Sequence, residues 1–284
     1  MPPAKSTRKK GDPPVDTRLI MLGTGNAMVT ECWNTCFALQ NGDDCLLVDA
    51  GGGNGIFNRL DAAGIDCARL RHMFVTHAHT DHALGVIWVI RKIASLMLKG
   101  TYEGVFFIYC HDVLTEVIRT ICGLLLPGDH LAFLGPRIIL RTVADNESLT
   151  AAGLGLTFFD IGSTKAKQFG FHAVLPDGQK LVCLGDEPYA PATERYVAGC
   201  DWLLCEAFCL YAERDVFKPY DKHHSTALDA GKLAESLGVK NLVLYHTEDT
   251  NLAERKVRYT AEAKSVFSRR VFVPDDLEVL DLGR

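Results

Sequence analysis

The chain has 284 residues, 48% of them apolar and 23% charged, enough apolar material for a substantial core in one large domain or two ordinary ones. Thirty basic against 35 acidic residues leave a net charge of −5, which argues against a broadly basic nucleic-acid surface but not against a local patch around a pocket. No apolar run approaches the ~18 residues of a membrane-spanning helix, so no membrane partner is expected.

Residues 1–16 carry Lys5, Arg8, Lys9 and Lys10 among Pro, Ser and Gly. This composition predicts a flexible basic tail ahead of a folded unit over 17–284, with a weak nucleic-acid or targeting role as the alternative. No apolar stretch follows the basic residues as it would in a secretory signal. Ten singly scattered cysteines include no C-x-x-C pair. Both features predict a cytoplasmic protein with reduced thiols. Cys200, Cys205 and Cys209 read as buried small hydrophobes, with metal binding as the alternative.

Strands are predicted at 18–22 and 72–75, with a hairpin of 36–39 and 45–48 between them that turns on Asn41-Gly42-Asp43. Asp49-Ala50-Gly51-Gly52-Gly53 breaks the hairpin before a helix at 55–63. Helices follow at 84–98 and 114–125, with a strand at 105–109 between them. Further strands are predicted at 138–141, 156–159, 169–175, 180–184, 202–204 and 241–245, and further helices at 227–237 and 251–267. No repeat or Gly/Ser linker interrupts this order. Strands that repeatedly end in polar, Gly-bearing turns predict a layered α/β domain with its site along one edge.

After the 72–75 strand the chain reads Thr76-His77-Ala78-His79-Thr80-Asp81-His82. Neutral imidazoles and a carboxylate suit zinc, manganese or iron. In a loop, this spacing can turn His77 and His79 toward one cation, and Asp81 and His82 toward a second. The duller reading is four polar loop residues meeting by chance. Taken singly, Asp186 could cap a turn, His246 could be structural at a strand end and His224 could belong to a helix cap. Glu206 follows an apolar run, where a carboxylate needs a partner.

With these residues the chain resembles the metallo-β-lactamase superfamily, and the likeness spans roughly 19–249. Leu22-Gly23-Thr24-Gly25-Asn26-Ala27, Asn34-Thr35 and Asp49-Ala50-Gly51 are similar to the opening of its ribonuclease Z branch. The resemblance implies a four-layer αββα sandwich with a di-metal site at the sheet edges. Leu184-Gly185-Asp186 resembles the motif that supplies a bridging aspartate, and Leu244-Tyr245-His246 the one that supplies the last metal histidine. Glu206-Ala207-Phe208 and His224-Ser225-Thr226 resemble the pair in which a glutamate orients a proton-donating histidine.

Two departures qualify this. The superfamily supplies a further histidine before the bridging aspartate, and here Gly162, Ser163 or Thr164 stands in its place, with His172 inside the following strand. The first cation is then expected to keep His77, His79 and Asp186, and the second Asp81, His82, Asp186 and His246. Only 24 positions separate Gly162 from Asp186, too few for the long arm of enzymes that process tRNA, so tRNA is not the expected substrate. What the resemblance implies is two-metal hydroxide attack on a small or single-stranded phosphodiester. Asp81 and Asp186 hold the water in line, and His224, oriented by Glu206, protonates the leaving group. Lys165 and Lys167 are candidates for an anionic substrate. Hydrolysis of a lactone, thioester or lactam, and a binding protein with an impaired site, are the alternatives. A homodimer is expected by analogy.

Overall fold

Strand residues whose neighbours on both faces are apolar need two covering layers, and the fold provides them twice. The computed structural model describes residues 17–283, so the expected basic tail over 1–16 lies outside the described residues. The first sheet is built from β1 (Thr17–Gly23), β2 (Cys36–Asn41), β3 (Asp44–Val48), β4 (His72–Phe74), β5 (Phe106–Cys110) and β6 (Ile138–Thr142). The second takes β7 (Ser148–Ala151), β8 (Leu154–Asp160), β9 (Phe169–Val174), β10 (Lys180–Cys183), β11 (Trp202–Glu206), β12 (Asn241–Tyr245) and β13 (Arg270–Phe272). The chain then returns to the first sheet as β14 (Val279–Asp281) beside β1.

The strand orders are β14-β1-β2-β3-β4-β5-β6 and β13-β12-β11-β10-β9-β8-β7. Each sheet begins as an antiparallel meander and turns parallel, from β3 to β6 in one and from β10 to β13 in the other. Parallel strands need crossovers, and these are the helices. They comprise α1 (Ile56–Ala62), α2 (Thr80–Leu98), α3 (Asp112–Leu125), the one-turn α4 (Gly128–Leu131), α5 (Glu194–Val197) and α6 (Arg214–Phe217), then α7 (Ala227–Ser236) and α8 (Leu252–Lys264).

Strand alternation sorts the apolar residues into three cores. Leu19, Phe37, Val48 and Phe74 face Phe158, Phe171, Leu204 and Tyr245 between the sheets. Phe74 meets Phe158 at 5.0 Å and Phe171 edge-on at 5.5 Å, which adds aromatic geometry to the area they bury. Ile20, Leu47 and Met73 pack outward with residues of α1, α2 and α3, and Val182, Leu203 and Leu242 pack outward with residues of α7 and α8. The result is the four-layer αββα sandwich. Among the described residues no helix is long and apolar enough to cross a membrane.

Some element boundaries differ from expectation, each for a physical reason. Helix α2 begins at Thr80, not 84, with His79 as an extended N-cap and Asp81 in the first turn, where the helix N-terminus favours negative charge. Asp81 and His82 are therefore helical, not loop, residues. Strands β7, β13 and β14 have three or four residues at sheet edges, too short to show a period. Helix α2 also runs against the turn after β3. A Cβ on Gly85 would lie 2.0 Å from the Ala50 carbonyl oxygen, so glycine there permits the close approach that brings β3 and α2 to one site. The ten cysteines are all unpaired thiols and eight are buried, with Cys200 and Cys205 in the α7/α8 core.

Candidate metal centre

Asp49 directly follows β3 and is almost wholly buried, with backbone φ of 56°. One of its oxygens accepts the Thr76 backbone N–H at 2.8 Å; the other accepts Thr76 Oγ1 and His82 Nδ1, both at 2.8 Å. These bonds hold a left-handed backbone that would otherwise cost about 1–3 kcal/mol. They also set the His82 ring. A carboxylate only accepts, so Nδ1 carries the proton and Nε2 keeps its lone pair. That Nε2 is buried with no hydrogen-bond partner.

His246 follows β12, also at positive φ (59°), and neither of its buried ring nitrogens has a hydrogen-bond partner. The His82 Nε2 lies 3.2 Å from Asp81 Oδ2 and 3.7 Å from Asp186 Oδ2. The His246 Nε2 lies 3.6 Å and 3.5 Å from the same two oxygens. Buried lone pairs converging at these spacings fit a divalent cation, whose bonds to nitrogen and oxygen run about 2.0–2.2 Å. The second cluster comes from the first turn of α2, which follows β4, and from the residues after β10 and β12.

The first cluster is thinner. His77 Nε2 lies 3.6 Å from Asp186 Oδ2 and 2.8 Å from His79 Nδ1. Thr76 Oγ1, whose own proton goes to Asp49, sits 2.9 Å from His77 Nδ1 and accepts from it, leaving Nε2 for a cation. His79 is only half-buried. Asp186 Oδ2 thus stands among His77, His82 and His246, while its Oδ1 accepts the Gln168 side-chain amide at 2.6 Å.

The charges follow from this packing. Burial alone would raise Asp81 and Asp186, but the surrounding histidines outweigh it and hold both carboxyls far below the usual range. Burial pushes His77 well below its ordinary value, so it is neutral. Burial would also lower His82, but Asp81 and Asp49 outweigh it and raise that ring strongly.

Glu206, at the end of β11, is fully buried. Its Oε1 accepts the Ser225 backbone N–H, and its unpartnered Oε2 lies 3.6 Å from His224 Nδ1, also unpartnered. Glu206, His224 and His246 offer ligand atoms within 4.8 Å of one another. His224 stacks on Phe208 with centroids 4.8 Å apart and sits 5.2 Å from the His246 ring. The α7 cap is made by Thr226 with Asp229, so His224 is not used as a cap.

These groups open onto a cavity of about 340 Å³ lined by His79, Asp81, Asp186, His224 and His246. Of the two lysines suggested by the sequence, Lys165 lines it. Lys167 turns away to Asp112 at 2.6 Å.

Gly162 has φ of 74°, and a Cβ there would meet nothing within 4 Å. Ser163 Oγ donates to Glu187 Oε1 at 2.6 Å, and Thr164 Oγ1 pairs with His223 Nδ1 at 3.2 Å. Gly162→His would place a side chain on a left-handed backbone with open space around it. His172 stays within β9, beside Thr157 and Val182, outside the cluster. Residues 162–186 run into the β9–β10 hairpin without an added arm.

Residues at the site that were not assigned a role from the sequence include Asp49, Gln168, Lys222 and Glu248. Only Asp49 carried a usable signal, a carboxylate straight after an apolar strand, the same signal that marked Glu206. Asp49→Asn keeps the shape and tolerates the backbone but loses the acceptor for His82. It is expected to weaken the second cation about 10–100-fold, measured by chelator competition. Unchanged affinity would show that His82 is oriented without it.

A family model described as "Anti-Pycsar protein Apyc1" matches residues 17–99. The chain is 25% identical over 301 residues to a ribonuclease Z of Nitrosopumilus maritimus, covering 92% of this chain and 99% of that protein. It is 28% identical to a ribonuclease Z of Thermobifida fusca, covering 91% and 92%. Among solved structures it resembles the metallo-β-lactamase fold protein YhfI of Bacillus subtilis (TM-score 0.77, 20% identity, covering 93% and 99%). Human tRNase Z, short form, is also similar (TM-score 0.70, 22% identity, covering 94% and 100%). The fold is the metallo-β-lactamase fold, and homology to ribonuclease Z over most of the chain supports a hydrolase.

Proposed function

We propose that the chain is a metal-dependent phosphodiesterase of ribonuclease Z type, acting on a small or single-stranded substrate. His77, His79 and Asp186 would hold one divalent cation, and Asp81, His82, Asp186 and His246 the other. Zinc suits this donor set best, with manganese or iron as alternatives. The observation that carries the reading is the buried Glu206–His224 pair beside the cation cluster, whose facing Oε2 and Nδ1 atoms have no other partner. A thioester has a thiolate leaving group that departs without a proton, whereas a phosphodiester of an ordinary alcohol requires one.

Bound cations supply Lewis acidity toward the phosphoryl oxygens and acidify water. Asp81 and Asp186, kept ionised by their histidine neighbours, accept hydrogen bonds from the attacking water and hold it in line. Glu206 fixes the His224 ring through Nδ1, which leaves Nε2 to carry the proton to the leaving oxygen. The stack on Phe208 limits ring rotation. Gln168 keeps the other Asp186 oxygen occupied. The short β9–β10 connection argues against tRNA as the substrate.

Zinc- or manganese-loaded protein is expected to cleave an aryl phosphodiester faster than a matched aryl ester or lactone, measured in parallel. Ester turnover without phosphodiester turnover would overturn the reading.

A further inference from the structure

The cavity wall beyond His224 carries two cations that the reaction as described leaves unused. The loop of Lys165 and the turn of Lys222 are joined twice. Thr164 Oγ1 meets His223 Nδ1 at 3.2 Å, and Lys165 Nζ donates to the Lys222 carbonyl oxygen at 3.2 Å. The buried Glu187 carboxylate lies 3.7 Å from Lys165 Nζ, beyond hydrogen-bond reach but close enough to hold the charge in place. An ammonium has three N–H donors, so Lys165, which lines the cavity, keeps two unused. Lys222 also lines the cavity, and its Nζ stands 5.0 Å from the Phe208 ring centroid. It forms no ion pair among the described residues.

Neither Glu248 nor Asp249, which also line the cavity, forms an ion pair with Lys165 or Lys222. Glu248 Oε2 accepts the Thr250 backbone N–H, and Asp249 Oδ2 accepts those of Thr30 and Glu31 at 2.6 and 2.9 Å. Along the wall the order is fixed by contact. His246 at the cation cluster neighbours His224, His224 stacks on Phe208, and Lys222 lies over Phe208. The lysines thus stand two rings outward from the cluster, past the residue assigned to the leaving group.

We propose that Lys165 and Lys222 form an anion subsite that binds a second phosphate on the substrate, next to the one that is cleaved. This rests on the phosphodiesterase reading and narrows its substrate class to diesters bearing a neighbouring phosphate. The scissile group meets the cations, and the neighbouring phosphate meets the two ammonium groups. Charge-assisted contacts of this kind are worth enough for about a tenfold effect or more.

The test compares thymidylyl-thymidine with the same dinucleotide bearing a terminal 5′- or 3′-phosphate, using metal-loaded protein. One phosphorylated form is expected to show a KM about tenfold or more below that of the bare dinucleotide. Lys165→Met and Lys222→Met remove that advantage, so the two substrates converge, while the two lysine-to-arginine variants retain it. Binding of thymidine 3′,5′-bisphosphate by calorimetry is expected to weaken in the methionine variants more than binding of thymidine monophosphate, with metal content measured alongside. Cleavage of all three dinucleotides with equal KM would overturn the subsite and leave the phosphodiesterase reading standing. Bisphosphate discrimination without any dinucleotide cleavage would do the reverse.

Discussion

Asp186→Asn is expected to lower turnover by at least about a thousandfold, roughly 4 kcal/mol of transition-state stabilisation at the usual conversion. The side chain keeps its volume, so folding should survive, but one charge disappears from the point where His77, His82 and His246 converge. Asparagine can still meet Gln168 with its carbonyl oxygen, and this leaves an amide facing the three imidazoles. An amide is a far weaker ligand than a carboxylate for a hard cation, and both clusters share this oxygen. Metal stoichiometry should therefore fall together with turnover, read by elemental analysis after gel filtration. Two cations per chain with turnover near that of the parent would show that Asp186 is not shared.

His224→Ala should behave in the opposite way, lowering turnover about 10²–10⁴-fold on a diester with an alkyl leaving group while metal content stays at the parent value. The ring lies 5.2 Å from His246, beside the cations but supplying none of the close contacts among Asp81, His82 and Asp186. An aryl leaving group departs without protonation, so the same variant should lose much less activity on an aryl diester. The difference between the two substrates is the signature of a proton donor. Equal losses on both, or loss of metal, would assign His224 to packing or ligation instead. Glu206→Gln should fall between parent and alanine variant, since an amide of the same shape still lies beside Nδ1.

The cassette was legible because its chemistry is local. His77, His79, Asp81 and His82 fall within six positions, and no fold can scatter them far. Their division between loop and helix was not legible, since three polar residues at the head of α2 mask its apolar period. The long interior strands were readable from unbroken apolar runs, which both faces of the sandwich demand. The three-residue strands β13 and β14 were not, because their pairing is decided by the partner strand.

Remote partners divide along the same line. Asp186, Glu206, His224 and His246 were nameable because each stands in a short motif at a strand end or before a helix. By contrast, the bond of Asp49 to His82 spans 33 positions, and that of Gln168 to Asp186 joins the start of β9 to the end of β10. Gly162 shows the limit from the other side. Its place in the chain suggested a lost ligand, and the structure adds only a left-handed backbone with open space around it. Residue type and short-range spacing by themselves pointed to divalent-cation binding on a layered α/β scaffold. Only the tertiary structure decided which carboxylate orients His82, which loop delivers Lys165 and which positions face solvent. Those relations depend on sheet order and strand register, which act across distances that spacing along the chain does not encode.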